Sequence, residues 1–179
     1  MDASRRNNWL TAAAVALLLA IHAALALAAV RDKSVTTDEI FHVTGGYLYD
    51  KFGDFRIHPD NGVLPQRLHG LAALSAGARP PALDGEDWRT SDLQAMSHRF
   101  FYDSGNDHAP LLFGARAANL LVFGFGAGLL VVFWARALAG SVAGLAALGL
   151  FAFSPTLLAH APLATSDLAA ACLLPTSVG

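Results

Sequence analysis

The sequence predicts an all-α integral membrane protein with three full transmembrane helices, the start of a fourth, and one long extracytoplasmic loop carrying short interfacial helices. Three observations lead there. Of the 179 residues, 54% are hydrophobic and only 15% charged, which is too apolar for an ordinary soluble domain. Several apolar runs approach or exceed the roughly 20 residues that a helix needs to cross a bilayer. Twelve of the 14 Asp/Glu and eight of the 12 Lys/Arg fall between Arg31 and Asp107, so one polar segment separates the apolar ones.

The first span follows Arg5 and Arg6 and covers residues 9–30, from Trp9 to Val30. Ala26-Leu27-Ala28 has the look of a signal-peptide cleavage site. The apolar run, however, exceeds the roughly 7–15 residues of a signal-peptide core, and further spans follow, so an uncleaved helix is expected. The second span covers residues 111–134, with Arg116 in its first turns, where a long side chain can reach the interface. The third covers residues 142–160 and is separated from the second by a short link whose charge is Arg136, so the two are expected to form a membrane hairpin. A fourth apolar run, residues 167–175, is too short to cross and reads as the start of a helix completed in a longer protein. Gly124, Gly126, Gly128, Gly140, Gly144 and Gly149 are expected to let the helix backbones approach closely.

Orientation follows from the short segments. Arg5, Arg6 and Arg136 belong on the cytoplasmic side by the positive-inside bias. The N-terminus is then cytoplasmic, and residues 31–109 share the outer face with the short turn at residues 160–167. The Ala- and Leu-rich composition suits a bacterial inner membrane.

Within the loop, Thr36 and Glu39 have the spacing of a capping box, and Ile40, Phe41, Val43, Tyr47 and Leu48 follow as an apolar stripe, so a helix is expected near residues 37–52. Gly45-Gly46 weakens it by about 1 kcal/mol each, which calls for a packing or ligand-approach reason. A second short helix is expected near residues 91–102, and Gly77-Ala78-Arg79-Pro80-Pro81 reads as a turn. The net charge of −2 carries no nucleic-acid footprint. The one cysteine, Cys172, has no second cysteine with which to form a disulfide or thiolate metal site in the same chain.

The chemistry-bearing feature is Asp38-Glu39, two carboxylates just past the first span, where acids in water can meet a lipid-borne substrate. Both also suit the first turn of a helix, and Glu39 is explained well by capping alone. The stretches GDFRIHPDNGVLPQRLHGL, DWRTSDL, FFYDSGND and FAFSPTLLAHAPLATSDLAAA follow in order. Together with Thr37-Asp38-Glu39, this ordered set resembles the phospholipid carrier-dependent glycosyltransferases of the GT-C class, near protein O-mannosyltransferases and lipid A aminoarabinose transferases (glycosyltransferase family 39 type). The resemblance runs from Thr36 to Ala171.

The resemblance implies transfer of a sugar from a polyprenyl-phosphate donor to a hydroxyl of a lipid, glycan or protein acceptor, with inversion at the sugar carbon. It gives Asp38 the role of catalytic acid residue, places Glu39 beside it, and makes Asp167, in Thr165-Ser166-Asp167, a second acid on the same face. Asp167 also reads as an N-terminal cap acid of the fourth helix. His58-Pro59-Asp60-Asn61-Gly62 stands where the mannosyltransferase branch has His-Pro-Pro-Leu-Gly, which leaves the acceptor open. The departing phosphate calls for donors or cations, and His58, Arg67, Arg56, Arg99 and Arg116 are the candidates. Each arginine has a simpler role as an ordinary salt-bridge partner. A divalent ion such as Mg or Mn would be bridged by Asp38 and Asp167 to a phosphate. Two other readings compete. One is a transporter or channel segment with Arg116, His22 and Asp167 along a pathway, although His22 in mid-helix also reads as a neutral imidazole bonded to a neighbouring helix. The other is a non-catalytic, truncated membrane protein.

Overall fold

The computed structural model describes residues 3–174, with side chains from Asn7 onward, and is helical with no strand among the described residues. The side chains of Arg5 and Arg6, and Pro175 at the end of the expected fourth span, lie outside that description. Two helical stretches are long and apolar enough to cross a membrane, Asn7–Val30 and His108–Ala152. Between them sits a small folded cap.

Helix α1 (Ala3–Val30) is apolar around its circumference, with Trp9, Leu10, Leu17 and Leu25 exposed, as a helix solvated by lipid would be. The cap opens with α2 (Thr37–Phe52), which starts on Thr36: its hydroxyl accepts from the Glu39 amide while the Glu39 carboxylate accepts from the Thr36 amide. α2 ends at Gly53, whose φ of 67° is left-handed. α3 (Val63–Ser75) lies across α2 with Gly46 against Gly70: a Cβ on Gly46 would stand 1.7 Å from the Gln66 carbonyl oxygen. That crossing supplies the packing reason for the Gly45-Gly46 pair. Two short helices follow, α4 (Glu86–Thr90) and α5 (Leu93–His98), the latter running into a π-helical turn at Arg99–Asp103. Val43, Tyr47, Leu48, Met96, Phe100 and Phe101 form the core of the cap.

The second long apolar stretch begins with α6 (His108–Asn119), passes a π-helical turn at Leu120–Gly124, and continues as α7 (Phe125–Ala152). The expected count of three full spans is not supported. The second and third apolar runs form one helical stretch interrupted at Gly140, where φ 86° and ψ 179° leave helical geometry. Beyond it the chain folds back: Gly144 lies against Val132 and Arg136, and Leu148 and Phe151 lie against Gly128. The returning piece ends at Ala152, because Ser154-Pro155 starts a separate short helix, α8 (Pro155–His160). At about 1.5 Å per residue, residues 141–152 extend about 18 Å, short of the roughly 30 Å of a hydrocarbon core. α9 (Asp167–Leu173) packs its Leu168, Ala169 and Cys172 with Ala26, Leu120 and Phe123. His22, midway along α1, points at the end of the returning piece, its Nδ1 donating to the Ala152 carbonyl at 3.0 Å.

Candidate active site

Where α1 ends, α2 begins and α6 passes by, Glu39 and Arg116 form a buried ion pair, 0% and 2% exposed. Arg116 Nε and Nη2 donate to the two Glu39 carboxylate oxygens, each at 2.8 Å. The rest of the guanidinium donates to the carbonyls of Val30, Lys33 and Ser34. Glu39 also accepts from the amides of Thr36 and Ala164. Burial alone would raise the Glu39 pKa, but Arg116 and these two amides together hold it below the ordinary carboxylate value. Glu39 is therefore an ionised anchor joining the ends of α1, α2, α6 and the 161–166 turn.

Asp38, the preceding residue, is exposed at the same helix start and takes no part in that network. Its field reaches His58 and favours the charged imidazole there. The segment bearing His58 is held from several sides. Tyr49 donates its hydroxyl to the His58 carbonyl, and Gln66 Nε2 donates to the carbonyls of His58 and Asn61 at 3.2 and 3.0 Å. Burial pushes the Tyr49 phenol up to about 12, so it remains a donor at neutral pH. Asn61 Nδ2 donates to His58 Nε2 at 2.7 Å, and Asn61 Oδ1 accepts from Ser166 Oγ at 3.4 Å. Ser166 precedes Asp167, whose carboxylate is exposed and accepts from Thr165 Oγ1 at 3.2 Å. A continuous set of contacts thus runs from His58 through Asn61 to the start of α9.

Behind this surface lie three buried imidazoles that the sequence reading did not single out as a group. His42 stands between His58 and His69, with ring centroids 5.0 and 6.0 Å away. Asn119 Nδ2 donates to the carbonyls of Ala161 and Leu163, which leaves its Oδ1 to accept from His69 Nε2 at 3.0 Å. His42, His58 and His69 each have a buried Nδ1 without a hydrogen-bond partner. Burial, reinforced by the neighbouring imidazoles, drops the His42 pKa to about 3. Burial drops that of His69 to about 4, against the Asn119 bond, and lowers that of His58 against the pull of Asp60. The three rings are neutral at pH 7. No local spacing signals this group, because His58 and His69 reach His42 only through the packing of the His58 segment and α3 on α2.

The arginines named from the sequence are all paired. Arg56 holds Asp54 at 2.6 Å and lies over the Trp88 ring, 4.4 Å from its centroid. Arg67 holds Asp50 at 2.7 Å and Arg99 holds Asp87 at 2.9 Å. With Arg116 on Glu39, none of the four presents a free guanidinium. The residues also do not fit a metal at the two acids: no group of three or more His, Cys, Asp or Glu among the described residues is arranged to hold an ion, and Asp38 and Asp167 have no third ligand beside them. For a transport pathway, Arg116 and His22 are both engaged internally. Comparison with family models, curated proteins and solved structures finds no match to this chain.

Proposed function

We propose that the chain carries the acid site of a membrane glycosyltransferase of the GT-C class, which moves a sugar from a polyprenyl phosphate to an acceptor hydroxyl on the extracytoplasmic face. The observation that carries this reading is the division between two adjacent carboxylates: Glu39 is fully engaged in the fold, while Asp38 stays exposed, its field reaching His58. Support comes also from the Asn61–Ser166 contact, which links the His58 segment to the turn bearing Asp167. The reversal at Gly140 returns the chain toward the end from which α6 set out, consistent with both acids facing one side of a multi-pass protein. In this reading the N-terminus is cytoplasmic, the cap lies outside, and the membrane is a bacterial inner membrane.

The chemistry asked of Asp38 is removal of the acceptor's hydroxyl proton as the oxygen attacks the anomeric carbon. The new glycosidic bond forms on the face opposite the breaking bond to the phosphate oxygen. Polyprenyl phosphate leaves with that electron pair, and the configuration inverts. His58, with Nε2 accepting from Asn61 and Nδ1 buried, supplies no charge and holds the Asn61 segment in place. Asp167 flanks the same surface and orients the acceptor or sugar hydroxyls.

The test is transfer of a labelled sugar from a polyprenyl-phosphate donor by the full chain in lipid nanodiscs. Asp38→Asn should lower the rate about 10²–10⁴-fold, the usual range for losing a general base. A folded Asp38→Asn protein working at the wild-type rate removes the base assignment and with it the reading.

A further inference from the structure

The corner where α1 leaves the apolar layer and α6 enters it holds two adjoining cavities. One, of about 530 Å³, is walled by Arg31, Asp32, Lys33, Tyr102, His108 and Arg116. The other, of about 800 Å³, lies against Leu27, Ala28, Pro110 and Phe113, and the two share Arg31, Asp32, Ala109 and Phe113. A polar chamber therefore adjoins an apolar groove, each within the about 300–1,000 Å³ typical of ligand sites. Neither is lined by Asp38, His58, Asn61 or Asp167.

The charges of the chamber do not cancel. Arg116 is neutralised by Glu39. Arg31 and Lys33 are exposed, and neither enters an ion pair among the described residues, whereas Arg56, Arg67 and Arg99 each hold an acid. Asp32 offsets one of the two positive charges, so the wall keeps a net positive charge. The placement is as telling as the sign. Val30 ends the apolar run and Arg31 and Lys33 follow at once, so the cations lie where a spanning helix meets the lipid phosphates, directly above the apolar groove.

Resting on the reading that α1 and the α6–α7 stretch cross a bilayer, we propose that this corner seats an anionic glycerophospholipid of the surrounding membrane. Its phosphodiester lies between Arg31 and Lys33, a headgroup hydroxyl donates to Asp32, and the first carbons of an acyl chain follow Leu27, Pro110 and Phe113. The site is a second lipid-binding place on the protein, separate from the acid surface at Asp38.

The full chain is inserted into nanodiscs of phosphatidylcholine mixed with phosphatidylglycerol, released into detergent, and weighed by native mass spectrometry to count retained lipids. Wild type should keep a single phosphatidylglycerol in preference to phosphatidylcholine. Arg31→Gln/Lys33→Gln should weaken that retention about 30-fold, since each Lys or Arg beside an anionic lipid contributes about fivefold. Arg31→Lys/Lys33→Arg, which preserves the charges, should keep it, and inorganic phosphate should not displace it because the groove holds the chain. Equal retention of the two phospholipids by an inserted chain overturns the proposal while leaving the membrane reading intact. Retention of a polyprenyl phosphate in preference to phosphatidylglycerol overturns the phospholipid assignment. A folded chain that does not insert at all overturns the membrane reading itself.

Discussion

Replacing Arg116 with Met removes the five hydrogen bonds its guanidinium makes and leaves Glu39 a buried carboxylate without its cation. The pair is 2% and 0% exposed, so water cannot take over the lost contacts. Breaking a buried ion pair by removing one partner costs about 3–5 kcal/mol. The Thr36 and Ala164 amides still reach Glu39, but they supply partial charges only, and the carbonyls of Val30, Lys33 and Ser34 lose their shared donor. For a chain of this size about 2–4 °C accompanies each kcal/mol, so the melting temperature in detergent, followed by tryptophan fluorescence, should fall by about 6–20 °C. Adding Glu39→Gln to Arg116→Met removes the stranded charge and should recover about 2 kcal/mol of the loss. If Arg116→Met melts within about 1 kcal/mol of wild type, or the double variant is as unstable as the summed singles, the pair is not the anchor described.

Two further predictions concern stability. His42 and His69 have folded-state pKa values of about 3 and about 4, below the ordinary 6.5, so the unfolded chain binds more protons between those values. Their contribution is complete above pH 6.5 and lost as pH falls toward 4, at up to about 1.4 kcal/mol per pH unit for each ring; denaturant titrations of wild type and His42→Phe across that window should show a shallower slope for the variant, and equal slopes would count against the neutral buried cluster. Gly46→Ala should destabilise by about 3 kcal/mol or more, since its Cβ would meet the Gln66 carbonyl oxygen at 1.7 Å, backbone that cannot step aside. Gly149→Ala, with nothing within 4 Å of the added carbon, should be neutral or stabilising by up to about 1 kcal/mol, and the reverse ordering in thermal melts would refute the packing of α2 on α3.

What could be read from the sequence was whatever depends on near neighbours. Thr36 and Glu39 mark the start of α2 three residues apart, and the cap is there. The partner that gives Glu39 its larger role, Arg116, lies 77 residues away, and no local pattern announces it. The same holds for Gly46 on Gly70, for Asn61 on Ser166, and for the His42–His58–His69 group, all made by packing α3 and the His58 segment against α2. α3 is legible within the long loop only from Leu64, Leu68, Leu71 and Leu74, which repeat at helical spacing, with Pro65 in the first turn where a helix tolerates it. The expectation of a full third span overlooked Ser154-Pro155, a stop signal visible in the sequence.

Asp38 and Glu39, neighbours in sequence, are proposed to divide chemistry from architecture. Asp38→Asn, measured for both melting temperature and sugar-transfer rate in one preparation, tests this division most directly. The melting temperature should stay within about 2 °C of wild type, because an exposed side chain is replaced, while the rate falls about 10²-fold or more. An Asp38→Asn protein that melts as wild type and transfers sugar as wild type would contradict it.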